Sequence, residues 1–165
     1  MIIDPSSLLE KHLFDYDPKN CQPNSYDLRT GAIFEICGGV TLYADGGKDL
    51  PQYKRVPTSQ NFFTLFPGVL YQVEALERVE MPEDLCGISI MRSSMAKSGA
   101  SGEIGLYDSG YKGSLGMTVR VQHLCRIEYA ASVAQILFMT ADTSCLYEGE
   151  YLDSQWTQRL IDKKK

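Results

Sequence analysis

The chain has 165 residues, 44% of them hydrophobic, and a formal net charge of −5. Length and apolar share fit one domain with a sizeable core, and no run approaches the ~18 apolar residues of a membrane helix. The acidic balance excludes a general nucleic-acid binder, which carries a basic excess, but not a phosphorylated small ligand, because a pocket's local field can oppose the net charge.

Taken from the start, "DPSSLLEKHLF" predicts a short helix within an N-terminal region of residues 1–20. Asp4 is the N-cap, Pro5 the first helical residue, and Leu8, Leu9 and Leu13 the apolar stripe. The first residues lack a basic region and a small-residue cleavage site, so no export signal is expected. The five cysteines, at 21, 37, 86, 125 and 145, form no CxxC or Cys/His cluster. Zinc is therefore not expected, and free thiols in a cytoplasmic protein are.

Beyond residue 20 the helical period fades. "AIFEIC", "VTLYA", "NFFTLF", "VLYQVEALERVEM", "LCGISIM", "LGMTVRVQHL" and "VAQILFM" read as strands, punctuated by Gly, Pro, Asn and Asp. "YADGGKDLPQYKRVPTSQ" reads as a long polar loop. Many short strands in one chain imply an all-β domain over 1–165, a distorted barrel or jelly roll.

Four stretches carry candidate chemistry. In "MRSSMAKSGA", Arg92 can grip phosphate oxygens in a bidentate fork, and Ser93 and Ser94 can add neutral donors or merely cap a short helix. In "GLYDSGYKG", Asp108 can polarise a water, or simply open a hairpin turn. In "QPNSYDLRTG", Asp27 interrupts an apolar pattern and needs a partner, an Arg or a backbone donor; a structural salt bridge is the favoured reading. In "ASVAQILFM", Gln135 is polar in a core-like run, and its partner is a phosphate or a neighbouring backbone group. His12 and His123 are isolated, and no Walker loop, GxGxxG or HxE…CxxC is present.

Their order is more specific than any one of them. "QPNSYDL", "FTLFPGVLYQVEALERVEMPEDLCG", "RSSMAKSGA", "GLYDSGYKG", "VAQILF" and "YEGEY" together resemble the dUTPase and dCTP deaminase superfamily, from about Gln22 to Gln155. RSS followed by Y-D-x-G-Y-x-G is the most specific part. With the late GEY, the form is similar to the deaminase-related dUTPases of archaea, their viruses and some bacteria and phages.

The resemblance implies a dUTPase-like jelly roll (β-clip) that forms a homotrimer with active sites between subunits. It places Arg92, Ser93 and Ser94 on the triphosphate and lets Gln135 reach the phosphates. It gives Asp108 the attacking water and Tyr111 the deoxyribose. Backbone groups from Gly99 to Asp108, Gly105 among them, would read the base. Mg²⁺ would be held through the phosphates, with no direct protein ligand, and Asp27 or Asp108 would reach it through water. The tail, 147–165, would form a lid in which Tyr151 and Gln155 meet the substrate. Trp156 would cover the base or pack on a neighbouring subunit.

The implied reaction is hydrolysis of dUTP to dUMP and pyrophosphate. The alternatives are hydrolysis of another deoxypyrimidine triphosphate such as dCTP, and a non-catalytic, regulatory nucleotide binder. Deamination of dCTP is not expected. Its glutamate proton shuttle falls five residues past Gly113, on Thr118, and "SLGMTVRVQHL" holds no Asp or Glu. The arginine of "RSSLAR" is Lys97. One further departure is Gly102, where common dUTPases carry a polar residue that helps read uracil.

Overall fold

The computed structural model describes residues 1–103 and 105–149. In chain order these form β1 Ile2–Ile3, β2 Leu13–Phe14, β3 Tyr26–Cys37, β4 Thr41–Leu42, β5 Lys48–Asp49, β6 Gln52–Arg55 and β7 Phe62–Leu65. Then come β8 Leu70–Glu80, β9 Leu85–Met91, the helix α1 Ser93–Lys97, β10 Ala100–Gly102, β11 Gly105–Tyr107, β12 Lys112–Val121, β13 Cys125–Glu128 and β14 Ser132–Thr140.

Alternation sets the faces. Along β8, Tyr71, Val73, Ala75 and Val79 turn inward and are buried. Along β14, Ile136 and Phe138 do the same at 0% and 1% exposure, while Gln135, Leu137 and Met139 face outward, half-buried. Successive strand residues point to opposite faces, so this period of two selects one core side. Leu13, Tyr26, Ile33, Leu65, Leu115 and Val119 join the same core.

The main sheet runs β10-β12-β8-β3-β14-β9-β11. β3 is its corner strand. Its first residues pair with β14, and from Thr30 onward it pairs with β8. A register shift between Thr30 and Ala32 marks the change. Such bulges bend a strand and raise its twist, which lets one sheet curl into two layers. The two ends of the order, β10 and β11, are neighbours in sequence, so the sheet curls until its edges meet at one seam. The architecture is the expected distorted all-β barrel.

Two local expectations are corrected. The N-terminal helix is a single 3-10 turn, Pro5–Ser7, although Asp4 caps it as expected by accepting from the Ser6 amide at 2.9 Å. The helix stops because Leu13 must pair with Val79 on β8, and tertiary pairing outweighs weak helix propensity. The long polar loop contains two strands: β5 pairs with β4, and β6 with the end of β3, Phe34 opposite Arg55. Its polar, exposed sequence hid that, because an edge strand buries little apolar surface. Among the described residues no helix is long and apolar enough to cross a membrane.

Candidate active site

At one end of the sheet, β9 delivers Arg92 to β14 and β3. The Arg92 amide donates to the Val133 carbonyl at 3.0 Å, and its Nη1 to the Ser132 carbonyl at 3.2 Å. Its Nη2 lies 3.2 Å from Oδ2 of Asp27. Asp27 therefore has the arginine partner that its buried position requires. Burial raises the Asp27 carboxyl above its ordinary value, and the guanidinium pulls it back only in part. Gln135 stands directly opposite Asp27 in the register. Its side chain makes no hydrogen bond among the described residues, so no neighbouring backbone group takes it up. Ser93 and Ser94 are the first residues of α1 and exposed; the N-cap is Arg92, with no side-chain cap. The serines thus do not serve as caps.

The hairpin stands at the other end. The Tyr111 amide donates to the Asp108 carbonyl at 3.0 Å, closing a turn in which Gly110 has φ 82°. Only glycine adopts that conformation readily, which explains the D-x-G spacing. Asp108 opens the hairpin turn, yet its carboxylate is exposed and unpaired among the described residues. The turn is pinned from below. The Ser109 hydroxyl donates to the Leu85 carbonyl at 2.8 Å, and the Gly110 amide to the Met81 carbonyl at 3.1 Å. The Tyr111 hydroxyl donates to the Ser114 carbonyl at 2.9 Å, and its ring meets Tyr107 and Tyr147 at 5.4 and 5.6 Å.

The expected residues thus form two groups, not one. Tyr107 stands opposite Gly87, whereas Arg92 follows Met91. Along β9 the backbone of Arg92 is five residues beyond Gly87, on the order of 15 Å at ~3.3 Å per residue, and Asp108 lies on the far side of Tyr107. Arg92, Asp27 and Gln135 are brought together; Asp108 and Tyr111 are brought together elsewhere, and Gly105, opposite Ser89, lies between the two groups along β9. Among the described residues, no group of three or more His, Cys, Asp or Glu side chains is placed to hold a metal. A hard cation such as Mg²⁺ fits here only where phosphate oxygens and water complete its shell. Tyr151, Gln155 and Trp156 lie outside the described residues.

Two glycines are explained by packing. A Cβ on Gly105 would stand 2.8 Å from the Ser89 hydroxyl. A Cβ on Gly102 would stand 2.6 Å from Met117 Cε and 2.7 Å from the Thr118 carbonyl oxygen. The polar side chain of common dUTPases therefore has no space at Gly102. Gly102→Asn is expected to cost about 1–3 kcal/mol through overpacking, read as a lowered urea midpoint. A variant as stable as the parent would show that the β10–β12 pair yields freely.

Thr118 faces Gln72 across the strands, and its buried hydroxyl has no hydrogen-bond partner among the described residues. On the same face, opposite Gly116, Glu74 is 5% exposed and accepts from the Ser114 hydroxyl at 3.0 Å. Sequence reasoning confined to one strand missed this carboxylate. It also missed Tyr107 and Ser89, whose contacts cross the seam.

The dCTP deaminase-like family profile matches residues 6–141. A probable deoxyuridine 5'-triphosphate nucleotidohydrolase from Methanopyrus kandleri is 32% identical over 139 residues, 83% of this chain and 90% of that protein. The deoxyuridine 5'-triphosphate nucleotidohydrolase of Methanocaldococcus jannaschii is 32% identical over 146 residues, 86% and 93%. In fold, the crystal structure of 2'-deoxycytidine 5'-triphosphate deaminase from Agrobacterium tumefaciens superposes with a TM-score of 0.67 at 19% identity, over 85% of this chain and 48% of that one. A profile match over most of the length, running through both motif groups, establishes that the chain belongs to the dCTP deaminase-like family.

Proposed function

We propose that the protein hydrolyses dUTP to dUMP and pyrophosphate at sites shared between the subunits of a homotrimer. One observation carries this reading: the polar groups singled out by the motifs are present and available. Asp108, Ser93 and Ser94 are exposed, Gln135 has no side-chain partner among the described residues, and the Arg92 side chain keeps 38% exposure beside Asp27. The names of relatives 32% identical to this chain support the choice of substrate.

In this mechanism Asp108 accepts a hydrogen bond from a water and aims its oxygen at the α-phosphorus. The new P–O bond forms as the bond to the bridging oxygen breaks, the water's proton passes to Asp108, and pyrophosphate leaves. Arg92 places fixed positive charge against the phosphates, with Ser93, Ser94 and Gln135 as neutral donors. Tyr111 packs against the deoxyribose. Mg²⁺, held by the phosphates and reached through water by Asp108 or Asp27, would neutralise charge on them.

Separation of the two groups favours sites built from two chains. The water holder and the phosphate donors must both reach one triphosphate, and one chain holds them at opposite ends of β9. The outward face beside Gln135 is suited to a second copy. Cys86, Ile88, Ile90, Leu137 and Met139 line it, half-buried, next to Leu106 at 61% exposure.

A pyrophosphate-release assay across the deoxynucleoside triphosphates tests the reading. The expected result is turnover of dUTP and no ammonia from dCTP. Preference for dCTP without ammonia release would move the substrate to the alternative, and tight binding with no turnover would make the protein a binding module. Ammonia from dCTP would point to Glu74 as a carboxylate standing in for the absent one at Thr118.

A further inference from the structure

The side chain that ties the two edges of the barrel together belongs to neither motif group's expected set. Tyr107 ends β11, directly before Asp108. Its hydroxyl donates to the Gly116 carbonyl at 2.8 Å and accepts from the Gly116 amide at 2.8 Å. Gly116 lies on β12, where the ladder to β8 shifts register between Ser114 and Gly116. That bulge leaves a backbone donor and acceptor side by side, and one phenol satisfies both. Ser89, fully buried on β9, adds a bond to the same carbonyl at 3.1 Å.

β11 and β12 are not ladder partners. β11 pairs with β9 and β12 with β8, at opposite ends of the sheet order. The Tyr107 hydroxyl therefore crosses the seam just below the turn that bears Asp108. Its ring also holds Tyr111 at 5.4 Å from the other side of that turn. Burial pushes the phenol above its ordinary value, so it stays protonated as a donor at neutral pH.

We infer that Tyr107 is a positioning residue, whose bond to Gly116 across the seam fixes the Asp108–Tyr111 turn for catalysis. The inference rests on Asp108 as the water holder. A turn anchored only by its ladder can tilt, and misplacing a reacting group by ~1 Å costs about 10²-fold in rate. Removing the hydroxyl leaves the Gly116 amide without its acceptor, while Ser89 still serves the carbonyl.

Tyr107→Phe separates positioning from folding, because it keeps the ring and its contact with Tyr111. The expected result is kcat for dUTP lowered about 10- to 100-fold, KM within about threefold, and backbone amide exchange accelerated at residues 108–111 and 116 only. Tyr107→Leu, which also removes the ring, is expected to raise KM as well, since Tyr111 loses its support. If amide exchange in the turn of the Phe variant matches the parent, the inference is overturned, whether or not the parent hydrolyses dUTP. Accelerated exchange with unchanged kcat overturns the catalytic half. A parent that turns over no nucleotide overturns the assigned reaction instead, while exchange alone decides the seam contact.

Discussion

Asp108→Asn is expected to lower dUTP turnover by about 10²–10⁴-fold, the range for losing a positioned base. Nucleotide binding and thermal stability should stay near the parent's. The carboxylate is exposed and makes no hydrogen bond among the described residues, so the amide removes charge without disturbing packing. The turn itself survives, because it uses the backbone carbonyl of residue 108, Gly110 and the Ser109 hydroxyl. Arg92→Gln is expected to fail for a different reason, by losing the fixed charge on the phosphates. If sites form between chains, co-assembling the two inactive variants should restore part of the activity. Some sites would then join an intact Asp108 from one chain to an intact Arg92 from another. A fully active Asp108→Asn protein would remove the residue from its role, and co-assembly with no recovery would argue for a site within one chain.

Glu77→Ala is expected to destabilise the fold by about 3–5 kcal/mol, read by urea denaturation at neutral pH. Glu77 is an inward-facing carboxylate with no side-chain exposure. Arg29 Nε lies 2.6 Å from its Oε1, the Arg29 amide donates to Oε2 at 2.9 Å, and the Tyr26 hydroxyl donates to Oε1 at 3.3 Å. Arg29 also donates to the Asp15 carbonyl. Removing Glu77 strands the Arg29 amide and Nε, while the Tyr26 hydroxyl keeps its bonds to the Asp17 backbone, and leaves a cavity in the core. A loss under about 1 kcal/mol would show that water replaces the carboxylate at little cost.

The pH dependence has a defined sign. Burial raises the Glu77 carboxyl, and the bonds from Arg29 oppose this without reversing it. The folded protein therefore binds this proton more tightly than the unfolded chain. Its contribution to stability is complete below the ordinary value of 4.5 and is lost as pH rises through the folded value. Asp27 slopes the same way.

Much of this was legible in the chain. "LCGISIM" matches β9 from Leu85 to Met91, and "VAQILFM" lies within β14. A short run of apolar, β-branched and aromatic residues between turn residues is a local signal, and it survives folding. Glu77 carries a sequence signal too, since it occupies an inward phase of β8, between Ala75 and Val79. Tyr107 had none, because β11 is three residues long and its partner is defined only when the barrel closes.

By itself, the sequence determined the class of fold, the turn chemistry and the identity of the chemical groups. Each depends on residue type and short spacing: apolar, β-branched runs for strands, D-x-G for the turn, R-S-S for a cluster of hydrogen-bond donors. Only the tertiary structure decided how those groups are shared out. Register at β14 set Gln135 beside Asp27, and the length of β9 kept Arg92 away from Asp108. Closing the seam gave Tyr107 its partner and left no room beside Gly102. Those outcomes follow from contacts between residues far apart in sequence, which no local pattern encodes.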